Sequence, residues 1–535
     1  MSAQAATPAL DDLGRRIIAT IGMPKDAWEI AAQLEVNGLR DHDARSGYGV
    51  RDLFELARAI ERRFRDGAYG FEIEGEDPQP RVIPALRFLR RYFAGIAFAL
   101  PMALQATAML MWGYGIWGAL DLELAQGSAI ALGFIASYVA AGGFAQAIVR
   151  RGLFYVYQEE PGLARWTAWK GFALAWRAML VLLVPALLLN LAFRLLPWSM
   201  LLIAAAFYAG LTVLWLSWAL IYLVRKTILL AVITALSLAV VIAAARLGGA
   251  PPIVANAIGV IVADVLSLAA ASWFLTRMAN GSNGTASPNR GPVNPPRLPV
   301  LVFSTSRYFV YGMLFNAFLF ADRVIAWTTP VGREDFPPYG FWLNVRYELA
   351  MDLALVVVIV MGGVVQYAIE RFSEKLIPHQ KRIRHIDTGT FLGEQLHGHR
   401  RRSWQLALAA VIALLLTYAL YIALRGVPNA RFQEALASDV TLRVLPAAAV
   451  AYVFFMFAVR NLLLLLTLSR IDAAVRTVAI ALVTDVAVGF VCSRAIAYWA
   501  AAAGLVAGSI VLSIVAARAA RRALDELDYS YYAAY

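Results

Sequence analysis

Residues 316–327 read NAFLFADRVIAW, and after a short loop residues 346–352 read RYELAMD. Both stretches lie within residues 299–372, at the ends of apolar runs long enough to cross a bilayer as helices. An ionised group at the centre of a membrane helix costs about 2.5–3.5 kcal/mol, so it usually faces a bundle interior or a watery cavity. The two stretches therefore predict membrane helices whose facing ends carry a functional or structural cluster of Asp322, Arg323, Arg346, Glu348 and Asp352.

Glu348 and Asp352 are four residues apart, so helical geometry places both carboxylates on one face. Together they could accept Arg323, Arg346 or a polar ligand. Two interpretations stay open, namely structural pairing at the mouth of a cavity and lining of a transport path. The candidates for a substrate path or gate are Asp322, Arg323, Trp327, Arg346, Glu348, Asp352 and Arg460.

Composition places the 535-residue chain among polytopic membrane proteins, because 60% of its residues are hydrophobic and its mean hydropathy is +0.63. The net charge of +12 indicates cytoplasmic loops and contact with anionic lipid, and not a nucleic-acid partner. The single cysteine, Cys492, excludes an intrachain disulfide and a cysteine-based metal site. The sequence has neither a phosphate-binding Gly-x-x-x-x-Gly-Lys-Ser/Thr loop nor a His-Glu-x-x-His motif. We therefore predict no catalytic residue, no metal and no cofactor.

Twelve apolar segments, the first at 92–119, divide six plus six around a Gly/Ser/Asn/Pro-rich linker. The predicted organisation is a cytoplasmic helical domain with its linker at 1–85, a six-helix bundle at 86–277, a flexible cytoplasmic linker at 278–298, a second six-helix bundle at 299–522 and a tail at 523–535. Basic residues concentrate in alternate loops, above all in the predicted loop 371–402, which places both termini in the cytoplasm. No signal peptide precedes the first segment.

Three further charged residues interrupt the apolar segments: Asp264, Asp485 and Arg460. Each acid can serve an interhelical hydrogen bond or an ion or substrate site. Asp264 and Asp485 are our candidates for ion coupling. Spacing alone leaves open whether these two acids and Arg460 pair with one another or line a cavity between the two halves.

The stretch at 318–327, the following Tyr347-Glu348-x-x-x-Asp352 helix and the segment 369–372 together resemble the PelG-type exopolysaccharide transporters. These belong to the polysaccharide transporter branch of the multidrug/oligosaccharidyl-lipid/polysaccharide (MOP) flippase superfamily. In that family an Ala-Asp-Lys/Arg stretch followed by an aromatic residue closes the seventh span, and an acidic helix follows. The residues that match are Asp322, Arg323, Trp327, Glu348 and Asp352. The resemblance implies an all-α, MOP flippase-like fold of about 12 transmembrane helices, built as two six-helix bundles around a central cavity.

We therefore expect a transporter and not an enzyme: a bacterial inner-membrane exporter that moves a sugar polymer to the periplasm or outside through the cavity between the bundles. The resemblance implies a cytoplasmic glycosyltransferase and other membrane subunits of a synthesis complex as partners, besides the lipid bilayer. Two alternatives stay open. One is an H⁺- or Na⁺-coupled flippase of lipid-linked oligosaccharide, and the other is a membrane glycosyltransferase or assembly subunit.

Overall fold

A computed structural model describes residues 10–18, 24, 26–66, 84–97, 99–281, 296–333, 337, 340–382, 388–426 and 430–526, and within them the regular elements are all helices. Among the described residues, eleven helices are long and apolar enough to cross a membrane, and a twelfth span results if the bent pair at residues 88–109 counts as one. The predicted all-α polytopic membrane protein with about twelve spans is therefore confirmed.

By its internal contacts the chain divides into two compact units. The first unit comprises the described residues of 1–89 and 367–404 together with the end of the last helix. Its N-terminal part contains α1 (10–18), α2 (Ala27–Val36), α3 (Asp41–Tyr48) and α4 (Leu53–Arg65). Asp26 and Asp52 cap α2 and α4 by accepting backbone N–H groups at 3.0 and 2.8 Å, as N-cap residues do. These helices bury a small apolar core, which includes Leu13, Ile17, Ile30, Leu34, Leu56 and Ile60.

The second unit comprises the described residues of 90–366 and 405–523 and contains most of the membrane helices. Its first half is formed by α5 (Pro84–Ile96), α6 (Leu100–Trp112), α7 (Leu124–Tyr157), α8 (Pro161–Phe193), α9 (Trp198–Leu223), α10 (Ile228–Arg246) and α11 (Pro252–Gly281). Its second half is formed by α12 (Leu298–Trp327), α13 (Val345–Arg382), α14 (Thr388–Leu424), α15 (Ala430–Ala437), α16 (Asp439–Thr467), α17 (Ile471–Ala495) and α18 (Ala502–Asp525). We use "first half" and "second half" for these two sets of helices.

The first predicted span, 92–119, is not one continuous helix in the structure. The parts of α5 and α6 that are apolar enough to cross a membrane are bent by 59° relative to each other. Helix α6 then ends at Trp112, because Gly113 adopts a left-handed φ of 82° and caps it. The chain turns back through residues 114–119, and the Ile116 N–H donates to Gln105 Oε1 at 2.9 Å. This turn buries Ile116 against the first half.

Most of the predicted loop at 371–402 is helical, because α13 continues to Arg382 and α14 begins at Thr388. Its Lys, Arg, Glu and Gln residues are good helix formers, so a membrane helix can continue into water without a break. Of the predicted linker 278–298, residues 282–295 lie outside the described residues, as do 1–9 and 67–83 of the predicted N-terminal domain and 527–535 of the predicted tail.

The two halves touch at two helix crossings that glycines make possible. Where α7 crosses α12, a Cβ on Gly312 would lie 2.3 Å from the carbonyl oxygen of Gly142, and Asn316 Nδ2 donates to the Tyr138 carbonyl at 2.9 Å. Where α5 crosses α13, a Cβ on Gly363 would lie 2.5 Å from the Tyr92 ring. Small residues let membrane helices approach this closely. The halves are therefore in backbone-level contact at both crossings.

Candidate functional site

The charged ends of α12 and α13 lie side by side and form one network. Arg323 Nε donates to Glu348 Oε2 at 2.9 Å, and the same guanidinium lies 3.8 Å from Asp352. Trp327, one turn beyond Arg323, donates its indole N–H to the other oxygen of Glu348 at 2.9 Å. Both oxygens of Glu348 are therefore bound, and one arginine serves two acids, as their shared helix face allows.

Asp322 points away from this pair and into the interior. The Tyr347 hydroxyl donates to Asp322 Oδ2 at 2.7 Å, and both side chains are fully buried. The other oxygen, Oδ1, has no hydrogen-bond partner. A fully buried carboxyl oxygen without a donor is costly, so this atom marks either a functional group or a place for water. We call Asp322, Arg323, Trp327, Tyr347, Glu348 and Asp352 the α12/α13 cluster.

The α13 face that carries the acids also meets the first half. An α-helix turns by about 100° per residue, so Glu348, Asp352 and Gly363 lie within about 60° of one another around α13. Gly363 packs against Tyr92, whose hydroxyl donates to the Val360 carbonyl at 3.2 Å. Part of this acid-bearing face is uncovered, because 56% of the Asp352 side chain is exposed. We call the space beside this exposed face the crevice.

Aromatic rings from both halves lie beside the cluster. Phe134 and Tyr138 of α7 stack at 5.9 Å between ring centroids, and Phe320 of α12 meets both rings edge-on at 5.7 and 5.5 Å. The Arg323 guanidinium lies 4.9 Å from the centre of the Phe320 ring. Our sequence reasoning missed Phe134 and Tyr138, although their spacing of four residues on one helix face was a usable signal.

The other candidate residues are distributed away from the α12/α13 cluster's ion pairs. Arg346 is half-exposed and pairs with Glu434 at 2.9 Å. Arg460 is buried and donates to Asn461 Oδ1 at 3.1 Å. Asp264 lies on α11 in the first half, and its Oδ1 has no hydrogen-bond partner. The structure therefore does not gather these three residues into one site.

Asp485 lies on α17 in the second half. Its side chain is fully buried, and neither carboxyl oxygen has a hydrogen-bond partner. Gly504 and Gly508 of α18 pack directly on it, since a Cβ on either would lie 2.7–2.8 Å from its side-chain atoms. Asp322 is close enough to interact with it electrostatically. The structure thus brings together two acids that the sequence had assigned to different roles.

Two arginines that the sequence analysis did not select stabilise the end of α12. Arg494 donates to the Thr329 hydroxyl at 2.7 Å beyond the last turn of that helix, where a cation is favourable. Arg333 donates to the Trp342 carbonyl at 2.8 Å and lies over the Tyr498 ring at 4.8 Å. Burial lowers the pKa of the Arg333 guanidinium from its ordinary value, and the Tyr498 phenol opposes that effect. These contacts hold the α12/α13 connection in place.

Among the described residues, no group of three or more His, Cys, Asp or Glu side chains is arranged to hold a metal ion. The α12/α13 cluster can instead bind polar groups through its exposed carboxylate and aromatic rings, or exchange partners among its acids.

Neither a protein-family model nor a curated protein matches the chain, whereas solved structures do. An outward-facing multidrug-resistance transporter of the MATE family, MOP superfamily, matches with a TM-score of 0.55 at 14% identity, covering 84% of this chain and 98% of that chain. A Vibrio cholerae MATE transporter matches with a TM-score of 0.53 at 14% identity, covering 84% and 98% of the two chains. A Pyrococcus furiosus MOP superfamily transporter, described as having a binding pocket of reverse polarity, matches with a TM-score of 0.51 at 13% identity, covering 82% and 96%. The chain therefore shares its fold with these solved transporters.

Proposed function

We propose that this protein is a bacterial inner-membrane exporter of exopolysaccharide, which moves a sugar polymer from the cytoplasm to the periplasm or outside through the crevice. The observation that carries the proposal is the exposed acid-bearing face of α13, in a chain that shares its fold with solved MOP superfamily transporters. The sequence resemblance at the α12/α13 cluster supplies the polymer as cargo. Both termini lie in the cytoplasm in this proposal, as the loop charges predict.

The site residues then take distinct roles. Glu348 and Asp352 meet the cargo in the crevice, while Arg323 and Trp327 hold Glu348 in place. Asp322 anchors Tyr347 behind them. Arg346 and Arg460 contribute at the two ends of the path. A cytoplasmic glycosyltransferase supplies the growing polymer, and other membrane subunits complete the synthesis complex.

The proposal is tested by complementing a deletion strain with variants expressed at normal protein levels. Asp322→Asn and Glu348→Gln should reduce secreted polysaccharide, because each removes a charge from the cluster without changing side-chain size. Asp472→Asn is the matched control, since that acid forms an exposed ion pair with Arg307. Unchanged secretion from both cluster variants would remove these residues from the mechanism.

The alternative function is an H⁺- or Na⁺-coupled flippase of lipid-linked oligosaccharide that uses Asp264 or Asp485. It draws support from the carboxyl oxygens of these two acids that have no hydrogen-bond partner. Reconstituted vesicles separate the two functions: movement of a lipid-linked sugar without any glycosyltransferase, driven by an ion gradient, favours the flippase. Sugar transfer by the purified chain alone would instead indicate an enzyme.

A further inference from the structure

Three exposed cations lie together at one end of the first half. Arg225 and Lys226 lie in the turn that joins α9 to α10, and Arg277 lies near the end of α11. The turn contacts α11, because the Lys226 ammonium lies 5.9 Å from the centre of the Phe274 ring, less than one helical turn before Arg277. We call Arg225, Lys226 and Arg277 the basic site, and the loop charges predict that it faces the cytoplasm.

Aromatic rings, and not acids, contact these cations. Arg225 donates to the Tyr157 hydroxyl, and the Arg277 guanidinium lies 5.2 Å from the centre of the Trp273 ring. Among the described residues, none of the three cations forms a salt bridge. A ring attracts a cation without cancelling its charge, so the basic site keeps three positive charges that an anion can neutralise.

The segments around the basic site are also positive. Glu159 and Glu160 follow Tyr157 in the turn between α7 and α8, and neither forms a salt bridge with the basic site. Residues 150–170, 225–226 and 277 together hold seven Lys and Arg side chains against these two acids, a net charge of +5. This end of the first half therefore attracts anions.

Two rows of exposed apolar side chains lead away from the basic site. Each row has members four residues apart on one helix, so successive members lie nearly above one another. On α10 the row begins directly after the turn that holds Lys226: Ile228, Val232 and Leu236. On α11 the row ends one turn before Arg277: Ile261, Val265, Ala269 and Trp273. At a rise of about 1.5 Å per residue the α11 row covers about 18 Å, comparable with the hydrocarbon of one leaflet, about 15 Å.

The exposed rings indicate the depth of the basic site in the bilayer. Tyr157 is 70% exposed and Trp273 is 54% exposed, and each ring contacts a cation of the site. Exposed Trp and Tyr rings of membrane helices concentrate at the level of the lipid headgroups. The basic site therefore lies beside lipid phosphates, while the two apolar rows lie in the hydrocarbon layer.

From this arrangement we infer that the basic site binds one anionic phospholipid. Its phosphate lies between Arg225, Lys226 and Arg277, and its acyl chains lie along the rows on α10 and α11. An acidic protein segment matches the cations but not the apolar rows, because those rows lie in hydrocarbon. A phospholipid matches both, and its binding does not depend on the cargo proposed above.

The test measures binding of the first lipid to the purified full chain in nonionic detergent by native mass spectrometry. The probes are phosphatidylglycerol and phosphatidylcholine with the same acyl chains, and phosphatidylglycerol should bind at least about tenfold more tightly. Each of Arg225→Gln, Lys226→Gln and Arg277→Gln should weaken phosphatidylglycerol binding about fivefold, the factor expected for one cation near a membrane surface. The triple variant should lose the preference for phosphatidylglycerol.

Two variants and one competitor are the controls. Arg246→Gln removes a cation from the other end of α10, where the guanidinium donates to the Trp112 carbonyl at 3.1 Å, and this variant should keep the preference. Arg225→Lys retains the positive charge and should keep the preference as well. Millimolar inorganic phosphate should not displace the lipid, because the free ion has no acyl chains to cover the apolar rows.

The inference is overturned if the two lipids bind equally, if the single variants do not weaken phosphatidylglycerol binding, or if the triple variant keeps the preference. Loss of the preference in Arg246→Gln would also overturn it, because the effect would then be one of total charge. Displacement by inorganic phosphate would show a site for the free ion and not for a lipid. If the triple variant does not fold, the three single variants decide the outcome.

Discussion

Replacing Arg323 should destabilise the protein more than replacing the acid with which it pairs. The guanidinium is the single charge that holds Glu348 at 2.9 Å and Asp352 at 3.8 Å together. Arg323→Met removes that charge and leaves the two carboxylates adjacent in a poorly hydrated place. Glu348→Gln is milder, because its amide oxygen can still accept from Trp327 and because Arg323 keeps Asp352 and the Leu319 carbonyl.

The loss of stability expected from each substitution follows from the burial of the Arg323–Glu348 ion pair. Losing one partner of a buried ion pair costs about 3–5 kcal/mol, and the lower end applies because Glu348 is 20% exposed. We therefore expect about 3 kcal/mol for Arg323→Met, and about 1.5 kcal/mol for Glu348→Gln, which loses one charged hydrogen bond. The double variant should cost less than the sum by about 1–2 kcal/mol, since the two losses share one contact.

The assay is a double-mutant cycle of unfolding free energies in mixed micelles. The matched control is the pair Arg307–Asp472, with 63% and 61% of the side chains exposed, whose coupling should stay below about 1 kcal/mol. Strict additivity of the Arg323 and Glu348 substitutions, or a larger loss from Glu348→Gln than from Arg323→Met, would refute the reasoning.

Three further predictions concern the helix crossings and caps. In a variant without the native cysteine, Gly95→Cys with Gln366→Cys should cross-link α5 to α13 and stop secretion until reductant is added. A Cβ at Gly95 would lie 2.7 Å from the Gln366 Cβ, and a shift of about 1 Å between the helices brings the pair to the separation of a disulfide. Full secretion from the cross-linked protein would show that the halves need not separate there. Gly504→Ala should lower the free energy of thermal unfolding by about 1–3 kcal/mol, because the added Cβ would lie 2.4 Å from a backbone carbonyl oxygen of α17. The Cβ added by Gly393→Ala would meet open space, so that variant should not destabilise the protein. Asp26→Ala should remove the α2 cap at a cost of about 1 kcal/mol, seen as faster hydrogen exchange of the first α2 amides; unchanged exchange would contradict the cap.

The local sequence was sufficient to predict the spans and the part of the candidate site that lies on α13. Apolar runs of bilayer length predict membrane helices because an unpaired backbone cannot lie in lipid, so hydropathy alone gave about twelve spans. Spacing of four residues was enough to place Glu348 and Asp352 on one face. The hydropathy-based prediction failed beyond Trp112, where α6 ends and Gly113 caps it. Hydropathy does not distinguish a membrane helix from an apolar turn packed against one.

The pairing of side chains from distant segments was decided by the tertiary structure. Arg323 pairs with Glu348 and Asp352, and Arg346 pairs with Glu434. The crossing of α12 and α13 fixes which of these groups come within bonding distance. Asp322 and Asp485 are 163 positions apart in the sequence, and only the packing of α12 against α17 makes them neighbours. The chain's own pattern thus determined how many helices cross the membrane and which faces are charged. That the Asp352 side chain is exposed while that of Arg323 is buried was decided only in three dimensions, because burial is a property of packed helices and not of single residues.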